Sequence, residues 1–348
     1  MDELKLLRDM RKDVPGVTDA AVNQGREQLL RHTDPERSGA RNGKKTPRPR
    51  KALRIAIMSV ATLGLAAALV AGNVMGVSGP QGMPSADAAT VLNDAAELTI
   101  KTADPVVGPG QFLKVDSTNL WLSSYGTQDP AGKVGENIDV HWLDTEKMSL
   151  YIPANRDEEW VWERSGRIPT TFFGEKSKEV ALNHAKEMGD TSELLKGAGG
   201  AFYNSPSSFP DQKEMAAYSR EPRMLLDGIY KRTAGAGQSV DGEALVYIAD
   251  LLRTGMVPAD LRAALYKAAA LIPGVSVTDN QATLDGQTGI AIGRVEEVSH
   301  MRQDIIIDPA TGQLIGERSV LTEALGEIPA GTAVGWTTIR TTVVDSAP

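Results

Sequence analysis

The chain has 348 residues, 41% of them hydrophobic, and a net charge of −8. These are values of a folded protein with room for one large domain and its extensions. It contains no cysteine, which excludes disulfides, thiolate metal sites and cysteine nucleophiles.

The charge is unevenly spread. Residues 1–54 hold 14 Lys and Arg against 8 Asp and Glu, a net of +6. The remainder holds 23 basic against 37 acidic residues, a net of −14. A basic head on an acidic body implies two environments.

Residues 1–32 read as a cytoplasmic arm of two short helices. Leu4, Leu7 and Met10 recur at helical spacing, and Pro15-Gly16 interrupts the pattern. Thr18 is suited to cap a second helix carrying Val22 and Leu29 on one face. Two such helices cannot bury a core alone, so these five apolar residues are the candidate partner-binding face. The alternative is a weakly ordered tail that serves topology and anionic lipid. Residues 33–52, rich in Pro, Gly and positive charge, read as a disordered linker.

Residues 53–77 read as one transmembrane helix. From Ile55 to Val77 there is no charged residue. That length gives roughly 34 Å of helix, enough for a hydrocarbon core of about 30 Å. Arg41, Lys44, Lys45, Arg48, Arg50, Lys51 and Arg54 precede it, and the next basic residue is Lys101. The positive-inside rule puts the N-terminus in the cytoplasm and the C-terminal body outside. Ala86-Asp87-Ala88 has the pattern of a signal cleavage site, but the long apolar run and long basic head favour an uncleaved anchor.

After a linker over 78–85, residues 86–348 read as an extracytoplasmic α+β domain. "ADAATVLNDAAELTIK" predicts a helix. "QFLKVDS", "NLWLSSY", "NIDVHWLD", "KMSLYIP" and "EEWVWERSG" predict about five antiparallel strands in a meander. Residues 164–222 read as irregular, with weak helical stretches and a loop over "GAGGAFYNSPSSFPDQ". Three helices follow, with Leu245, Ile248, Ala249 and Leu252 facing inward on the second and Leu261, Leu265, Ala268 and Leu271 on the third. The tail is strand-like again, with a hairpin turning at Asp308-Pro309 and Gly312.

Several of these stretches together resemble a family. "DELKLLRDMRKDVP", the single span, "ADAATVLNDAA", "GQFLKV", "LLRTGMVPADLRAALYKAAALIPGV" and "IIIDPATGQLIGER" are similar to an actinobacterial family of single-pass membrane proteins of unknown function. Its members are often encoded beside ECF-type sigma factors. The resemblance implies a membrane-bound accessory or regulator of such a factor. The order of helix, meander, helices and further strands also resembles the half-barrel of lipoprotein carriers and of periplasmic anti-sigma partners.

The sequence offers little for catalysis. His32, His141, His184 and His300 are widely separated, with no paired-ligand spacing. There is no GxSxG elbow, and the glycine-rich stretches at Gly108–Gly110 and Gly197–Gly200 do not join a strand to a helix as a phosphate loop does. No catalytic residue, cofactor or metal is expected. The basic cluster abuts the span and lacks interleaved aromatics, so no direct nucleic-acid binding is expected either. "PSSFPDQ" with Trp121, Trp142, Trp160 and Trp162 forms either a ligand groove or the core of a chain poor in aromatics. The expected partners are the bilayer, a cytoplasmic sigma factor and an envelope ligand. The expected role is a non-enzymatic regulator with an outer sensing domain; the alternative is an envelope lipid or lipoprotein binding module with no signalling role.

Overall fold

The computed structural model describes residues 84–102, 104–127 and 138–348. The expected arm over 1–32 with Leu4, Leu7, Met10, Val22 and Leu29, the linker over 33–52 and the span over 53–77 lie outside these residues. Among the described residues no helix is long and apolar enough to cross a membrane.

The described part is α+β, built on one ten-stranded antiparallel sheet. Its strands are β1 (Phe112–Thr127), β2 (Ile138–Pro153), β3 (Glu159–Arg164), β4 (Ile168–Phe172), β5 (Glu193–Ala198), β6 (Ser276–Leu284), β7 (Gln287–Glu296), β8 (Met301–Ile307), β9 (Leu314–Leu321) and β10 (Ala333–Val344). The order across the sheet is β5-β3-β2-β1-β10-β9-β8-β7-β6, with β4 also on β2. First and last strands are therefore neighbours at the centre, with Phe112 opposite Val344 and Leu120 opposite Trp336.

The helices are α1 (Ala86–Lys101), α2 (Glu175–Met188), α3 (Gln212–Ala217), α4 (Pro222–Arg232), α5 (Val240–Leu252) and α6 (Ala259–Ala269). Helix α1 is capped by the Ser85 hydroxyl, which accepts from the Ala88 backbone N–H at 3.1 Å. Its first turn is Ala86-Asp87-Ala88, and Ala88 is fully buried. Helix α5 is capped in the same way by Ser239. Leu245, Ile248, Ala249, Leu261, Leu265 and Ala268 are all completely buried, as their helical spacing predicts, while Leu271 is partly buried.

These side chains meet one face of the sheet. Period-two alternation sends Leu113 and Val115 of β1, Leu150 and Ile152 of β2, and Ile305 and Ile307 of β8 into the same core. Each aliphatic side chain buried there contributes about 1.5–3 kcal/mol. Two smaller clusters, around Leu143 and Val334 and around Ala291 and Ile306, form on residues of opposite parity.

Two parts of the sequence reading are corrected. The predicted strands "QFLKVDS" and "NLWLSSY" are one 16-residue strand, β1, and "NIDVHWLD" and "KMSLYIP" are likewise one, β2. The residues between them, Thr118 and Thr145-Glu146, do not turn the chain, because each has a cross-strand partner: Thr118 lies opposite Lys147, Thr145 opposite Leu120 and Glu146 opposite Asn119. The stretch 164–222, read as irregular with weak helical stretches, holds two helices, α2 and α3, and two strands that the reading lacked, β4 and β5. Helix α2 buries only Ser177 and Ala181, so it has no apolar stripe to betray it.

Candidate functional site

The covering helices leave part of the sheet open. Between the inner face of β1–β3 and the C-terminal end of α5 lies a cleft of about 690 Å³. This is within the size range of small-molecule and peptide sites.

Alternation builds the floor. Val115, Ser117, Asn119 and Trp121 project from β1, opposite Leu150, Met148, Glu146 and Asp144 of β2. Trp162 and Arg164 of β3 extend the floor beyond β2, and Thr337 of β10 extends it beyond β1. The Ser208-Phe209-Pro210 segment closes one side, with Phe209 5.6 Å from the Trp160 ring and 6.3 Å from the Trp162 ring.

The roof is Leu251, Arg253 and Thr254, where α5 stops. It stops because Gly255 takes a left-handed φ of 68°. A side chain there would meet Thr341 at 2.8 Å and Val115 at 3.1 Å, so only glycine lets this helix end approach the sheet so closely.

The polar groups are organised around Glu146, whose side chain is 1% exposed. Arg164 donates to its Oε1 at 2.8 and 3.1 Å and to Glu193 at 3.1 Å. Arg167 lies 3.8 Å from its Oε2 and stacks over Trp121 at 5.0 Å. Across the floor, Glu146, Asn119, Thr337 and Glu317 are successive cross-strand neighbours on β2, β1, β10 and β9. Burial pushes the Glu317 carboxyl up to about 7, outweighing Arg253, whose Nε stands 3.5 Å away. Arg232 pairs with Glu214 at 2.9 Å and covers the Tyr218 and Tyr247 rings.

Three buried polar atoms of the cleft lining have no hydrogen-bond partner among the described residues: Trp121 Nε1, Glu146 Oε2 and Arg253 Nε. All three are covered by protein atoms, and two of them stand in longer ion pairs, Glu146 Oε2 with Arg167 at 3.8 Å and Arg253 Nε with Glu317 at 3.5 Å.

A second cleft of about 570 Å³ lies on the Asp104 side of the sheet, lined by Leu113, Ile152, Arg156 and Arg262. There Arg262 pairs with Asp104 at 2.7 Å. The Arg156 Nη1 is buried without a partner, and burial holds this guanidinium below its ordinary pKa.

The aromatic residues divide between groove and core. Trp121, Trp162 and Phe209 line the first cleft, whereas Trp142 and Trp160 are buried to 2% and 3% exposure. His141 shares a hydrogen bond with Ser124 at 2.8 Å, and His184 packs 5.9 Å from the Trp142 ring. Sequence reasoning missed Glu146, Arg164, Arg253 and Glu317. One signal was present: in "HWLDTEKMSLYIP", Asp144 and Glu146 share the strand face of Trp142, Met148 and Leu150, which is otherwise apolar.

No family model matches the chain, and no curated protein matches it. Among solved structures, the complex of MucA and MucB from Pseudomonas aeruginosa is similar over 76% of this chain, with 8% identity and a TM-score of 0.26. This chain spans 59% of the length of that one. The likeness is too slight to carry function.

Proposed function

We propose that this protein is a non-enzymatic, single-pass membrane regulator whose outer domain binds an envelope ligand in the cleft between β1–β3 and α5. The carrying observation is the cleft itself, where an apolar and aromatic floor surrounds a buried carboxylate, Glu146, held by Arg164 and Arg167. Its composition suits binding over catalysis. Among the described residues it has no histidine to activate Ser117 or Ser208, and its carboxylates are occupied by arginines. The split between a basic head and an acidic body, the uncharged run from Ile55 to Val77 and the family resemblance support the membrane anchor and a cytoplasmic sigma-factor partner.

Native mass spectrometry of the full-length protein purified from its own host tests the binding half. A bound species should be present in the wild type and absent once Thr254→Arg fills the cleft. An empty wild type that also gives no tryptophan fluorescence change with envelope extract would overturn it. Deleting residues 1–40 tests the regulatory half: output should vanish while ligand binding persists. Retained output without the arm would leave a binding module with no signalling role.

A further inference from the structure

Resting on the membrane-anchor reading, we infer that the fold masks the peptidase motif Ala86-Asp87-Ala88, so that the outer domain stays joined to the apolar run before it. A peptidase of A-x-A specificity would hydrolyse the bond between Ala88 and Ala89. Water adds across that bond, leaving a carboxylate on Ala88 and an amine on Ala89. The motif is well placed for such an enzyme, since Ala86 follows Val77 by nine residues. What protects the bond is the structure around it.

The main chain is already committed. An enzyme that takes a peptide as an added strand needs it extended, with its amide groups free. Here residues 86–101 are helical. Ser85 Oγ accepts from the Ala88 N–H at 3.1 Å, and the Ser85 carbonyl accepts from the Ala89 N–H at 3.0 Å. The Ala86 carbonyl accepts from the Thr90 hydroxyl at 2.9 Å. Upstream, the Ser85 N–H donates to the Val275 carbonyl at 2.9 Å, just before β6. The chain is thus tied down on both sides of the motif.

The side chains are committed as well. The motif is read through its two small residues. Ala86 is exposed, but Ala88 has no exposed surface and belongs to the main core. So do Leu92 and Ala96, one and two turns further on, where α1 packs against α6. Helix ends fray easily. Fraying at Ala86 does not reach the bond, because Ala88 must leave the core and the bonds to Ser85 must break. An extended stretch across that bond then runs on towards Leu92, which is fully buried. Folding and cleavage therefore compete. Once α1 docks on α6 the bond is closed, and a change in the outer domain has an unbroken chain to travel along.

The test uses the full-length protein with a C-terminal tag, made in its own host and also purified in detergent for incubation with a bacterial signal peptidase. N-terminal sequencing of the tagged product locates each cut. The wild type should stay uncut in cells and resist the enzyme. Ser85→Ala, which removes the cap and leaves the core intact, should be cut between Ala88 and Ala89 about fivefold faster. Leu92→Asp, which drives α1 from the core, should be cut there roughly a hundredfold faster. Adding Ala88→Leu to Leu92→Asp should stop that cut even in an unfolded chain, since the motif itself is gone. Rapid cutting of the wild type at this bond, or equal rates in wild type and variants, would overturn the inference. So would a Leu92→Asp chain left uncut there, because the motif would then need no mask. Carbonate extraction of the host membranes reads the anchor separately: an uncut chain that washes off would sink the anchor reading and leave the masking of the bond standing.

Discussion

One face of one sheet behaves in two ways. Under α1, α5 and α6 it is dry: Ile292, Ile305 and Ile307 meet Leu245, Ile248 and Leu265, all without exposed surface. Under the cleft, strands of the same sheet present Glu146, Asn119, Trp121 and Arg164 among apolar neighbours. Alternation and pairing are alike in both. The difference is the cover: beyond the end of α5 the face carries polar side chains in the cleft, and at the start of α5 it carries Arg294 and Glu296, which bond to Asp241 and Ser239. Packing therefore fixes the domain on one side, and recognition is free to use the other.

That contrast can be broken by substitution. Leu265→Ala should cost about 2–5 kcal/mol in chemical denaturation, because the dry region cannot collapse onto the hole. Leu150→Ala, at the cleft floor, should cost about 1.5–3 kcal/mol, the transfer term without the added cavity term. Equal losses would mean that the cleft is as tightly packed as the core.

Glu317 sits where the two regions meet, facing Arg253 and Asp250 of α5 and Gln303 of β8. Its folded pKa, pushed up to about 7 by burial, lies above its unfolded value of about 4.3. Between those values the folded state holds a proton that the unfolded state has released. Stability should therefore fall as pH rises through this window, by roughly 4 kcal/mol in total, and Glu317→Gln should flatten the fall. Urea midpoints at pH 4.5, 6 and 7.5 measure it; an unchanged slope in the variant would place the titration elsewhere.

Smaller effects sharpen the dry side. Ser239 accepts from the Gly242 N–H at 2.9 Å and donates to Glu296 at 2.8 Å, so Ser239→Ala should cost about 1 kcal/mol and lower Tm. Tyr266 buries its hydroxyl without a hydrogen-bond partner among the described residues. Tyr266→Phe should be neutral or raise stability by up to about 1 kcal/mol, and a clear loss of Tm would reveal a buried water bridging that hydroxyl.

Legibility followed the same divide. The helices of the dry side were readable because Leu245, Ile248, Ala249 and Leu252 repeat at helical spacing with no polar intrusion. The hairpin of β8 and β9 was readable from Asp308, Pro309 and Gly312. The cleft was not, for the reason that makes it a site. Glu146 fell between two predicted strands, the first ending at Asp144 and the second starting at Lys147, and the partners of Asp144 and Glu146, Ser123 and Arg164, come from other strands. Cross-strand pairing of residues this far apart leaves no mark in a local window. Helix α2, with Leu182 and Met188 exposed, was hidden by having almost nothing to bury.

The pairing of first strand with last bears on how the domain is made. Among the described residues, β1–β5 and β6–β10 form two sets of paired strands, joined only where β1 meets β10. Leu120 and Trp336 come together across roughly two hundred residues. Contacts of such separation are slow to form, because loop closure comes before any stabilising contact. During synthesis β1 emerges early, and its long edge stays unpaired until β10 arrives. Through that interval it is a row of open backbone groups beside exposed Leu113 and Val115, the kind of surface that invites pairing with another chain. The order of the strands thus makes the last of the described strands the one that closes the sheet, and chaperone protection matters most just before it does.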